Sequence, residues 1–239
     1  MDVLLRVLRV SATKEILKGV TLFIVGATPV FAIPMHMMGL ISMAISARYI
    51  VLPLWLIAIS LLLIGRTYTS FWGGRGFIAG LLGVAAYEGM RMPFVMAGIW
   101  SDFIPRLGGL IIGDGHPNTL IGYLWRWVGD GGGIGLSFFL ACCLLERTRF
   151  RSILRYPFML SLGYGIFIWS GLLCTVCFTS TGARMLFVLT PVNFTLSLSG
   201  HLIYGAVLGY FLRRTVGFQF RYPVASHLRH QPTGELLET

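Results

Sequence analysis

The chain has 239 residues, of which 56% are hydrophobic and only 12% charged, with a formal net charge of +10 and a mean hydropathy of +0.78. Soluble domains carry about a quarter charged residues, so this composition excludes an ordinary water-soluble domain; long apolar runs alternating with short basic clusters make lipid the solvent of the fold. The basic balance does not point to nucleic acid, because Lys and Arg are spread over short loops and both ends, with no basic helix interleaved with aromatics.

Residues 1–18 read as a basic amphipathic segment, with Val3, Leu4, Val7 and Leu8 at helical spacing beside Arg6 and Arg9. Such a segment lies along the membrane surface or simply extends the first span. A cleavable signal is not expected, since the apolar run that follows is too long for one and lacks a small-x-small site. A hydrocarbon core of about 30 Å needs about 20 helical residues, and six stretches supply them. The first span is expected over 19–47, bent at Pro29 and Pro34, and the second over 49–65. The third is expected over 76–100, the fourth over 118–145, the fifth over 153–178 and the sixth over 184–212. Residues 19–212 therefore read as an all-α polytopic transmembrane helix bundle of about six spans. Residues 213–239, with Pro223, His227 and Pro232, read as a polar cytoplasmic tail of low order.

Loop charges set the orientation. One set of segments holds Arg6, Arg9, Lys14, Lys18; Arg66, Arg75; Arg147, Arg149, Arg151, Arg155; and Arg213, Arg214, Arg221, Arg229. The alternate set holds only Arg48, Arg106 and Arg184. This alternation predicts both termini in the cytoplasm.

Six ionisable residues remain inside spans: His36, Glu88, Arg91, Arg126, Asp130 and His201. A charge at bilayer centre costs at least about 2.5–3.5 kcal/mol, so such residues face a partner or a cavity. Glu88 and Arg91 at i,i+3, and Arg126 and Asp130 at i,i+4, are placed to neutralise one another. Counted along their helices, all six fall between the middle and the outer half of the membrane. Two readings follow: ion pairs that hold helices together, or a polar cavity open outward with Arg91 and Asp130 at matching depth. Asp130 precedes Gly131, Gly132, Gly133 and then Gly135, a run that predicts either a helix break of the kind found at transport sites or close helix packing. Loop 101–117, rich in Gly around Leu110, Ile111 and Ile112, is expected to dip back as a lid, with Asp102, Asp114 and His116 as solvated turn residues rather than a metal site.

Cys174 and Cys177 form a CxxC pair, but Cys142 and Cys143 lie a membrane thickness away, so packing is favoured over redox chemistry. Haem ligation by His36 and His201 is the remaining cofactor reading; no metal ligand set is assigned. No catalytic triad order, zinc motif, phosphate loop or dinucleotide fingerprint is present. The sequon at Asn193, Phe194 and Thr195 falls within a span and is expected to be silent. Lys18-Gly19 and Arg75-Gly76 each precede a further glycine at Gly26 and Gly83, which reads as a duplicated helical pair or as the ordinary grammar of membrane helices.

The stretch from Arg91 through Met92, Pro93, Phe94, Val95, Met96 and Ala97 to Gly98 resembles small bacterial inner-membrane proteins of the YagU-like kind. Residues 125–135 and 201–209 are similar to further segments of such proteins, together about a third of the chain. The resemblance implies a prokaryotic polytopic membrane protein and no particular activity; a His is expected there in place of Arg126, which detaches Arg126 from any shared ligand role. The functions to be weighed are a small transporter or permease taking an anionic or proton-coupled substrate, an accessory subunit with partner membrane subunits, and a membrane redox or haem enzyme. The first is favoured, with the lipid bilayer as the assured partner and no catalytic residue assigned.

Overall fold

A computed structural model describes residues 2–64, 67–179 and 181–221, with side chains placed between residues 13 and 217. Arg66 and the tail from residue 222, including Pro223, His227 and Pro232, lie outside the described residues, as do the side chains of 2–12. The described residues are helical without strands. Helix α1 is Asp2–Met37, α2 is Met43–Leu63, α3 is Tyr68–Met96 and α4 is Ile104–Ile112. Helix α5 is Thr119–Glu146, α6 is Pro157–Phe178, α7 is the short Gly182–Met185 and α8 is Pro191–Arg221. Five of these, α1, α2, α5, α6 and α8, are long and apolar enough to cross a membrane.

Several boundaries differ from the expected ones, each for a local reason. The first span ends at Met37, not at Ala47: Gly39 takes a left-handed backbone (φ 74°) that only glycine adopts freely. Ser42 then caps α2 by accepting from the Ile45 amide at 3.2 Å. Pro29 and Pro34 lie within α1 without ending it. Thr67 caps α3 through the Ser70 amide, so α3 starts eight residues before Gly76. Asn118 caps α5 through the Ile121 amide at 3.0 Å, close to the expected start.

Helix α5 is the core of the molecule: 78% of its apolar window is buried, against 22% for α6. It packs against α1 on one side and α3 on another, while α8 packs on α3 and carries α6. Glycine makes these contacts possible. A Cβ at Gly80 would stand 2.1 Å from the Gly131 carbonyl oxygen, and one at Gly135 would stand 2.4 Å from that of Gly76. A Cβ at Gly133 would stand 2.4 Å from the Gly26 carbonyl oxygen. The α1–α5 and α3–α5 contacts are therefore backbone against backbone, the arrangement small residues permit in lipid. Ser137 adds a hydrogen bond to the Phe23 carbonyl at 2.8 Å.

The expected break at Gly131, Gly132 and Gly133 is not an interruption. The helix continues from Thr119 to Glu146, but Trp125–Gly132 winds as a π-helix before α-helical winding resumes at Gly133. The glycine run keeps the backbone thin where α1 and α3 press on it. At the end of the bundle near the N-terminus, Lys18 donates to Ser70 Oγ at 2.7 Å and Arg75 to Thr215 Oγ1 at 2.8 Å. At the other end, called here the α4 end, Arg48 donates to the Ile112 carbonyl and Arg106 to that of Arg184 at 3.1 Å.

The glycine contacts predict a sharp contrast within α3. Gly80→Ala should destabilise the fold by about 1–3 kcal/mol or more through overpacking. Gly89→Ala, where a Cβ meets nothing within 4 Å, should be neutral or stabilising by up to about 1 kcal/mol from helix propensity. Unfolding equilibria in bicelles compare the two; equal effects would contradict the packing described.

Candidate functional site

Five of the expected residues, Glu88, Arg91, Arg126, Asp130 and His201, meet near the α4 end. At about 1.5 Å per residue, Glu88, Arg126, Asp130 and His201 lie roughly 10–16 Å in from the α4 ends of their helices. Glu88 is the hub. Its Oε2 accepts from Arg91 Nε at 2.8 Å and its Oε1 from Arg126 Nε at 3.0 Å. The expected Glu88–Arg91 pair is therefore formed, and both residues are buried.

The expected Arg126–Asp130 pair is not formed. Both residues lie in the π-helical stretch Trp125–Gly132, and the Arg126 guanidinium is taken by a carboxylate on another helix. Arg126 turns to Glu88 instead and stacks 4.5 Å from the Tyr87 ring. Asp130 is only 6% exposed, and its Oδ1 has no hydrogen-bond partner.

Two members of the cluster escaped sequence reasoning. Asp102, read as a solvated turn residue, accepts from Arg91 Nη2 at 3.2 Å and, through Oδ2, from the Tyr123 hydroxyl at 3.0 Å. Arg91 Nη2 also donates to Tyr123 at 3.0 Å. Asp102 sits eleven residues beyond Arg91 and just past the end of α3, a separation that no helical spacing rule links. Helix α4 holds it: Asp102 Oδ1 also accepts from the Ile104 amide at 3.2 Å. Loop 101–117 is thus mostly this helix, seated with Gly108 and Gly109 on the backbone of Asn118, Gly122 and His116. Asp114 and His116 only close a local turn, with Asp114 Oδ1 accepting from the His116 amide at 3.0 Å.

His36 is not part of the cluster. It lies in the last turn of α1, where Nδ1 accepts from the Met43 amide at 3.2 Å and helps start α2. His201 does face the site, at 5.4 Å from the Tyr87 ring. Its Nδ1 lies 2.7 Å from the Ser197 carbonyl oxygen, which places a proton on Nδ1 and leaves Nε2 as an acceptor. Arg91 and Asp130 are not at matching depth, because Arg91 stands nearer the α4 end than Asp130 by about two helical turns.

Beside this cluster lies a cavity of about 790 Å³, bounded by α1 and α2 on one side and α6 on the other. Arg91, Arg126, Asp130 and His201 line its charged wall. Phe23, Phe31, Tyr164 and Phe167 are among its apolar residues. At the α4 end, a small apolar cluster of Met37, Val176, Leu186 and Phe187 packs α1, α6 and the segment after α7 together. The Thr181 hydroxyl donates to the Met37 carbonyl at 3.1 Å across the same seam. Cys174 and Cys177 are free and exposed, whereas Cys142 and Cys143 are free and buried in α5. No protein-family model, curated protein or solved structure matches the chain.

Counting the cluster without Asp130 gives two cations, Arg91 and Arg126, against two anions, Glu88 and Asp102. Removing one member of so buried a set leaves a charge without a partner, which costs about 3–5 kcal/mol. Glu88→Gln should therefore destabilise the protein by that amount. Adding Arg126→Met should recover part of the loss, because the stranded guanidinium is removed. A double-mutant cycle on unfolding free energy tests this coupling; strict additivity would sink it.

Proposed function

We propose that the chain is a six-span carrier of the bacterial inner membrane, with both termini cytoplasmic, that binds a small substrate in the α1–α6 cavity. The observation that carries this reading is Asp130: a buried carboxylate on the cavity wall, unpaired beside a network whose other charges are already matched. Unpaired buried carboxylates are costly and mark substrate or proton pathways in membrane proteins. In this reading Asp130 meets substrate or exchanges a proton for it, and the four-charge network holds Arg126 in place.

Helix α3 supplies the sixth span. It has 29 residues, about 44 Å of helix at roughly 1.5 Å per residue. Its low hydropathy comes partly from Arg75, Glu88 and Arg91, whose polar groups are met inside the protein. The orientation rests on the charge alternation, with the α4 end outward and the cavity in the outer half. The YagU-like resemblance supports the bacterial inner membrane. A second reading, an accessory subunit, draws on the saturation of the Glu88 network, which suits a purely structural device.

Two measurements test these readings. In a background free of native cysteines, Cys at Gly115 should react with a membrane-impermeant thiol reagent from outside intact cells, and Cys at Thr148 only after permeabilisation. The opposite pattern would overturn the orientation. A density map of the purified protein should show non-protein density against Asp130, lost in Asp130→Asn protein that still folds; a filled, collapsed cavity in the wild type would favour the subunit reading.

A further inference from the structure

We infer that the α1–α6 cavity takes an organic cation carried on an apolar, aromatic-sized body, with the positive group at Asp130. This rests on the carrier reading above and adds the chemical class of its substrate.

Three observations lead to it. The first is charge. Arg91, Arg126, Glu88 and Asp102 sum to zero through contacts of 2.8–3.2 Å, so Asp130 is the one acidic group of the site without a matching cation, and its ionised form gives the site a net charge of −1. Each arginine's charge is matched, Arg126 by Glu88 through Nε and Arg91 by Glu88 and Asp102. An anionic ligand would meet matched cations and one unmatched carboxylate; a cation meets the carboxylate. The second is the wall. Aromatic rings line the space, including Phe23, Phe31, Tyr164 and Phe167, while Tyr87 and Trp100 already carry Arg126 and Arg91. Ring faces attract a desolvated cation by about 2 kcal/mol or more, and they repel an anion in the same position. His201, on the same wall, has Nδ1 taken by the Ser197 carbonyl, which leaves Nε2 as an acceptor. The third is size. A volume of about 790 Å³ lies within the roughly 300–1,000 Å³ range of small-molecule sites and exceeds what a hydrated inorganic ion needs.

The same chemistry has two sources: a soluble lipophilic cation, or a bilayer lipid whose head ends in an ammonium group. Both place a positive charge at Asp130 and an apolar body between α1 and α6, so the test separates them.

Purified protein in lipid nanodiscs is titrated calorimetrically with tetraphenylphosphonium and with tetraphenylborate, ions of like shape and opposite charge, with empty nanodiscs subtracted. The phosphonium should bind at least tenfold more tightly than the borate. Asp130→Asn should weaken it at least tenfold, and Asp130→Glu should largely restore it. Gly171→Phe fills the cavity from a position where a Cβ meets nothing within 4 Å, and should abolish binding. Competition by lysophosphatidylethanolamine, but not by lysophosphatidylglycerol, assigns the lipid source; phosphonium binding without such competition assigns the soluble one. Borate binding as tight as phosphonium binding, indifferent to Asp130→Asn, overturns the cation assignment and leaves the cavity reading standing. If neither ion binds, the cation assignment fails. The cavity reading then fails with it only if mass spectrometry releases the same bound small molecules from wild-type and Gly171→Phe protein. Should Asp130→Asn not fold, the phosphonium-to-borate ratio of the wild type decides alone.

Discussion

Glu88 binds two guanidinium groups at once, and much of the molecule is arranged around that fact. In lipid, charges inside a bundle are costly unless they meet a partner, and a carboxylate has two oxygens to offer. One holds Arg91 on its own helix; the other reaches Arg126 on the neighbouring one. That reach requires α3 and α5 to lie close, which the Gly76, Gly80, Gly131 and Gly135 contacts provide. It also requires Arg126, within the π-helical stretch of α5, to point at α3 rather than down its own helix. The surplus positive charge of Arg91 is then met from outside the long helices, by Asp102, and α4 is seated to keep it there.

The cavity follows from what this arrangement leaves uncovered. Helix α5 uses its glycine faces on α1 and α3, and α8 is committed to α3 and α6. Helices α1 and α6 are thereby carried on opposite flanks, joined at the α4 end by Met37, Val176, Leu186 and Phe187. Asp130 opens onto the space between them because its neighbour in the helix has been drawn to Glu88.

Much of the helical architecture was legible in the sequence because hydrophobic length and helix capping are local properties. Residues 118–145 match Thr119–Glu146 closely, since Asn118 is both the cap and the end of the polar loop. The Glu88–Arg91 pair was legible for the same reason: three residues apart on a regular helix fixes their proximity. The Arg126–Asp130 pair was misread because spacing along one helix cannot weigh a competing partner on another, and Glu88 on α3 takes the Arg126 guanidinium. Of the two readings the glycine run offered, close packing is the one realised, a choice made by Gly26, Gly76 and Gly80 far away in sequence. Asp102 and Tyr123 could not be placed from spacing at all, because their link to Arg91 is tertiary. His36 was grouped with the others by depth alone, and depth does not say which way a side chain faces.

The π-helical stretch has a further implication, for how such a chain tolerates changes of length. Each residue advances an α-helix by about 100°, and a wider turn accommodates extra backbone without lengthening the helix by a full register step. Trp125–Gly132 therefore behaves as a stored insertion. Excising one residue there would let regular winding resume while α5 stayed continuous. Both flanking halves would keep their faces, and the change would fall on the residues inside the wide turn, Arg126 and Asp130 among them. The molecule would retain its bundle and lose its charge pairing, so structural fitness and site chemistry can be gained or lost separately at this one point of the chain.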